Sequence, residues 1–157
     1  MIRKNLNSLL FLTSLLLLVS CDFNMVYDEY TAINSNGWSV TDTVSFEVEM
    51  SSTEGELYDC LLGLRNNNDY LFSNVFLFVE VENPKGETHV DTLQYLLAES
   101  NGRWLGTGVG EIKHMLLTYK EAQAFEEGVY TYKIVHGMRD EVLYGLEDIG
   151  LRIESVK

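Results

Sequence analysis

The sequence predicts an all-β fold, an antiparallel β-sandwich of the jelly-roll or immunoglobulin-like kind with at most one short helix. Three observations lead there. Apolar and polar residues alternate over several short runs, the period-2 signature of half-buried strands. Turn residues separate those runs at close intervals, as in sandwiches. Long amphipathic helices between the runs are missing, which disfavours a parallel α/β sheet.

Taken in chain order, residues 21–37 read as an irregular N-terminal tether and 38–157 as the sandwich domain. Val44–Met50 alternates most cleanly, with Val44, Phe46, Val48 and Met50 on one face and Ser45, Glu47 and Glu49 on the other. Tyr58–Leu64 is a second strand, and Asn74–Val81, more continuously apolar, a central third. Asn83-Pro-Lys-Gly86 is a turn, with Pro and Gly where turn geometry favours them. Thr88–Leu97 is the returning strand of that hairpin. Arg103–Ile112 is a glycine-interrupted strand candidate, Leu116–Glu127 the one helix candidate, Gly128–His136 a strong strand, Asp140–Asp148 a turn or short helix, and Ile149–Val156 the closing strand.

The first twenty residues carry an export signal. Arg3 and Lys4 precede an apolar run from Leu9 to Val19. As a helix that run reaches only about 16 Å at roughly 1.5 Å per residue, short of a bilayer core of about 30 Å but suited to a signal peptide. Leu18-Val-Ser-Cys21 ends it, with a small residue before a cysteine, the arrangement of a bacterial lipobox. Such sites join the thiol to diacylglycerol, cleave before the cysteine and acylate the new amino terminus. Cys21 is therefore the predicted lipidation site, and two or more chains give stable membrane anchoring where one gives only marginal binding.

Removal of residues 1–20, whose only charged side chains are Arg3 and Lys4, takes the net charge from −13 to −15. Such a surface is repelled by nucleic acid and by anionic headgroups. With Cys21 acylated, Cys60 is the only other cysteine; it lies in an apolar stretch with no basic neighbour, as a buried hydrophobe does.

The remaining polar features read as structural. His89, His114 and His136 have no metal-ligand spacing, and a zinc site usually shows a close pair. Glu47/Glu49 and Glu80/Glu82 lie two apart on strands, about 7 Å, within the range of a glycosidase pair but equally that of a solvated acidic face. Gly106-Thr-Gly-Val-Gly110 matches neither the dinucleotide fingerprint nor the P-loop. No catalytic residue, metal site or cofactor is predicted. Arg65, Asn66, Asn67, Asn68, Asp69 and Tyr70 form the most unusual polar run. Its residue types favour a tight turn, and presentation to a partner protein is the functional alternative.

Several stretches together are similar to the GldH gliding motility lipoproteins of the Bacteroidetes: Cys21–Tyr30, Asn36-Gly-Trp38, Leu64–Tyr70 with Phe72-Ser-Asn74, Asp91-Thr-Leu, Trp104-Leu-Gly-x-Gly-x-Gly, Gly128-Val-Tyr-Thr-Tyr and Asp148–Glu154. The resemblance runs in order over nearly the whole chain after the signal. It implies a non-enzymatic lipoprotein of the cell envelope, at the outer membrane, held by its N-terminal lipid and working through protein partners in gliding or type IX secretion machinery. It brings no catalytic residues and assigns acylation to Cys21. A glycan-binding sandwich using exposed aromatics such as Tyr27, Tyr30 and Trp38 is the alternative from another functional class.

Overall fold

The computed structural model describes residues 24–51 and 55–156. The signal segment and Cys21 lie outside the described residues. Among the described residues there are ten strands: β1 (Met25–Ala32), β2 (Trp38–Ser39), β3 (Val44–Met50), β4 (Tyr58–Asn66), β5 (Asn74–Glu82), β6 (Thr88–Leu96), β7 (Lys113–Gln123), β8 (Gly128–His136), β9 (Val142–Leu143) and β10 (Leu146–Ser155). The described residues contain no helix, so the fold is all-β.

Two four-stranded antiparallel sheets carry the structure, ordered β1-β10-β4-β7 and β3-β8-β5-β6, with β2 and β9 forming a two-stranded ribbon. The pairing is nested. The first long strand pairs with the last (β1 with β10), the second with the seventh (β3 with β8), the third with the sixth (β4 with β7) and the fourth with the fifth (β5 with β6). A single long hairpin rolled into two sheets gives this order, which makes the sandwich a jelly roll rather than an immunoglobulin-like sandwich.

Side-chain alternation sets the register. On β3, Val44, Phe46, Val48 and Met50 are buried while Ser45, Glu47 and Glu49 face solvent. On β8, Tyr130, Tyr132, Ile134 and His136 point inward. Slipping either strand by one residue would bury its charges, so one register is strongly favoured. The core between the sheets is filled by fully buried Leu62, Leu64, Val75, Leu77, Val79, Ile134, Ile149, Leu151 and Ile153. The β5–β6 hairpin turns where Asn83-Pro-Lys-Gly places it. Asn83 Oδ1 accepts from the amides of Lys85 at 3.0 Å and Glu87 at 2.9 Å, and Gly86 takes φ +79°.

Four expectations need correction. Leu116–Glu127 is not a helix: Lys113–Gln123 is β7, paired along β4, and its Met115, Leu117 and Tyr119 turn toward the core. The Leu-Leu pair and the Ala- and Glu-rich tail imitate a helical pattern, but pairing with β4 overrides local propensity. The tether expected over 21–37 contains β1, which adds to sheet edge β10. As an edge strand it buries little, and an irregularity between Met25 and Tyr27 hides its alternation. Arg103–Ile112 is a loop touching its neighbours through single bridges, Ala98 to Trp104 and Thr107 to His114. Asp140–Asp148 holds β9 and the start of β10 rather than a helix.

The nesting gives the sandwich two unlike ends. The basal end holds the start of β1, the end of β10 and the turns β3–β4, β5–β6 and β7–β8. The distal end holds the ribbon and the connections 67–73, 97–112 and 137–145.

Candidate functional site

The predicted contact run Arg65–Tyr70 lies at the distal end, where β4 leaves its sheet. Alternation puts Asn66 inward and Arg65 outward. Arg65 pairs with Asp148 of the adjacent β10, and its guanidinium sits 5.3 Å from the centre of the Tyr30 ring, a cation–π distance. Asn67 braces the turn three ways. Its amide donates to Gly145 O at 2.8 Å, its Nδ2 to Glu147 Oε1 at 2.5 Å, and its Oδ1 accepts from the Asp69 amide at 2.7 Å. Tyr70 is buried, donates its hydroxyl to Asn74 O at 2.9 Å, and meets Phe72 edge-on at 5.7 Å. Gly145 takes φ +80°, and a Cβ there would lie 2.6 Å from Tyr70 Cα, so only glycine lets these two backbones touch.

This run divides by role. Asn66, Asn67 and Tyr70 build the turn; Arg65, Asn68 and Asp69 face solvent. Asn68 Oδ1 accepts the Trp104 Nε1 proton at 3.2 Å, which ties the turn to the 97–112 connection. Sequence reading missed the apolar residues that share this end. Leu71 is 85% exposed and Tyr144 59%, Leu105 is also exposed, and Val109 is wholly so. Their signal was present: single apolar residues inside polar or glycine-rich loops, where no strand alternation accounts for them.

On the outer face of the β1 sheet, Gly63 and Gly150 are cross-strand neighbours and leave a trough. The Tyr30 ring fills it. A Cβ at Gly63 would come within 2.5 Å of Tyr30 Cε1, and one at Gly150 within 2.6 Å. Across the trough, the Tyr30 hydroxyl lies 2.7 Å from His114 Nε2 on β7, so this pair of side chains links the two edge strands of the sheet. Burial raises the Tyr30 pKa and keeps the phenol protonated.

The other sequence candidates are dispersed. His89 is exposed beside Asp91 at 3.0 Å, His114 meets Tyr30, and His136 is buried against Trp38. Among the described residues no group of three or more His, Cys, Asp or Glu is placed to hold a metal. Cys60 is 1% exposed, and burial pushes its thiol up to about 11, so it stays protonated and unreactive. In the Gly106–Gly110 loop, carbonyls of Gly108 and Gly110 accept from Lys113 Nζ at 3.1 and 2.7 Å; a phosphate loop would present amides instead. The aromatic row expected of Tyr27, Tyr30 and Trp38 does not form. Trp38 is 2% exposed with its Nε1 bonded to Asp42 O, and Tyr30 lies flat in its trough.

The sequence profile of the GldH lipoprotein family matches residues 25–153. The chain belongs to this family. It is 39% identical over 162 aligned residues to a gliding motility lipoprotein GldH homolog of Christiangramia forsetii, covering 98% of each chain. It is 38% identical to the gliding motility lipoprotein GldH of Flavobacterium johnsoniae, over 95% of this chain and 96% of that one. A solved structure of an infectious bursal disease virus strain aligns over 85% of this chain and 32% of its own, at 12% identity and a TM-score of 0.38. That likeness is too distant to bear on function. GldH membership covers both sheets and the distal connections, including the braced Arg65–Tyr70 turn.

Proposed function

We propose that this GldH-family chain is a non-enzymatic envelope lipoprotein, acylated at Cys21 after removal of residues 1–20, whose distal loops bind a protein of the gliding or type IX secretion machinery at the outer membrane. The full-length match to gliding motility lipoproteins carries the reading. The two ends of the sandwich support it physically. Only Asp22, Phe23 and Asn24 separate Cys21 from β1. At roughly 3.5 Å per residue the first residue of β1 lies within about 14 Å of the anchor. Nine-residue strands then carry the distal loops about 30 Å farther out. Glu49, Glu56, Glu87, Glu126 and Glu127 are exposed at the basal end and oppose the approach of anionic headgroups, while the apolar Met25, Val26, Leu57 and Val156 are exposed there beside the anchor. The exposed apolar tips Leu71, Leu105 and Tyr144 face away from the anchor, where a partner protein meets them.

Affinity capture of the tagged full chain from detergent-solubilised membranes tests this, with Leu71→Asp and Leu105→Asp as variants. We expect a gliding or secretion component to co-purify with the wild type and to be lost from both variants. Equal recovery from wild type and variants would contradict distal docking.

A further inference from the structure

At the opposite, basal end the sheets part between edge strands β6 and β7, leaving a cleft of about 310 Å³. That is the lower end of the size range of small-molecule sites. Its inner wall is apolar and aromatic: Val81, Cys60, Tyr119, Phe125, Tyr130 and Tyr132. Phe125 is held edge-on between Tyr58 at 5.6 Å and Tyr130 at 4.9 Å, so the wall is preformed.

The rim is polar and charge-compensated. Lys120 Nζ binds Asp91 Oδ2 at 2.9 Å, the Tyr119 hydroxyl donates to the same carboxylate at 2.8 Å, and His89 Nε2 lies 3.0 Å from Asp91 Oδ1. Desolvation opposes ionisation of Asp91, but these three partners outweigh it and hold the carboxyl below its usual range. Lys120 is thus neutralised where it stands. Gln123, Thr88 and Glu87 complete the rim with further donors and acceptors.

This combination selects among ligand classes. An anion finds no uncompensated cation and meets Glu87 in a chain of net charge −13. A plain hydrocarbon would strip water from His89, Lys120 and Gln123 without replacing their hydrogen bonds. An uncharged ring with one apolar face and a hydroxyl edge satisfies both wall and rim, since aromatic rings receive apolar faces while a few placed polar groups fix orientation.

We infer that the β6–β7 cleft is a binding site for a neutral sugar ring. It is independent of the distal docking reading and lies at the other end of the molecule. This places carbohydrate recognition in the cleft instead of on Tyr27, Tyr30 and Trp38.

The test uses the full acylated chain in a detergent without a sugar headgroup, titrated with glucose, galactose, mannose and N-acetylglucosamine and their disaccharides, followed by saturation-transfer NMR. We expect saturable binding of at least one sugar, in the millimolar range usual for weak small ligands, and at least tenfold weaker binding in the His89→Ala/Gln123→Ala variant. Both positions are exposed, so an unchanged melting curve confirms that the fold is kept; Leu71→Ser at the distal end should bind as wild type. If the double variant unfolds, Thr88→Ala with Glu87→Gln serves instead. Absence of saturable binding for every sugar, or equal binding by wild type and rim variants, would overturn the assignment.

Discussion

The basal and distal ends of this sandwich are made from the same strands and differ most in their connections. At the basal end the β5–β6 and β7–β8 connections are short, and Tyr58, Phe125 and Tyr130 lock the two sheets together. Exposed residues there include Glu49, Glu56, Glu87, Glu126 and Glu127 together with the apolar Met25, Val26, Leu57, Val129 and Val156. At the distal end the 97–112 and 137–145 connections are long, the small β2–β9 ribbon forms, and the loop tips carry the most exposed large apolar side chains, Leu71 and Val109. A sandwich needs its strands and core for stability, and either end would tolerate short polar turns. The long distal loops with apolar tips are therefore the part that folding does not require, and loops on a rigid scaffold are where binding concentrates.

The largest effect is expected at the anchor. In Cys21→Ala we expect complete loss of lipid attachment, read as absence of the acyl mass and transfer of the chain from the detergent-rich to the aqueous phase on Triton X-114 partitioning. Continued partitioning with detergent would mean that another segment holds the membrane.

The next largest effects lie where backbone or ring contacts leave no room. Gly63→Val inserts a branched side chain into the Tyr30 ring, which must leave the trough and release β1. Overpacking of this kind costs about 1–3 kcal/mol, and urea unfolding should show it together with increased hydrogen exchange confined to β1 and β10. Gly145→Ala combines a positive φ with the approach to Tyr70. We expect a loss of about 1–2 kcal/mol, with exchange protection falling in the 67–73 turn and unchanged at the basal turns. Loss of protection at both ends would show that the ends are not independent.

A smaller, pH-dependent effect belongs to the distal core. His136 is fully buried, and burial lowers its pKa below the usual 6.5. The folded state therefore favours neutral imidazole while the unfolded chain binds a proton near pH 6.5. This contribution to stability is complete above about pH 6.5 and is lost as pH falls toward the folded-state pKa. Denaturation midpoints at pH 7.5 and 5.5 should differ in that direction for the wild type, and His136→Leu should reduce the difference. The smallest effect is on stability at the surface: Leu71→Ser should change it by no more than about 0.5 kcal/mol.

Legibility in the sequence followed burial. β3 and β8 could be read to the residue because one face of each is buried and the other wet, and β5 to within one residue because it lies inside its sheet. β1 was hidden by being an edge strand with a bulge, and β7 by Leu116, Leu117 and Phe125, whose spacing fits a helix as well as a strand. The choice of jelly roll over immunoglobulin-like order depends on pairing the two ends of the chain, β1 with β10, which no local pattern encodes. At the candidate surface, the asparagine-rich turn was legible as a turn, and three of its six residues are spent on building it. Leu71 and Tyr144 carried a signal as single apolar residues in polar loops, but their exposure went unread because local pattern does not fix which side of the surface such a residue occupies.

The most direct test of the account is photo-crosslinking in living cells from two positions, Leu71 at the distal end and Glu126 at the basal end, each replaced by a photoreactive amino acid in the full acylated chain. We expect a discrete protein adduct from position 71, identified by mass spectrometry as an envelope component, and none from position 126. A protein adduct from position 126 with none from position 71 would contradict it.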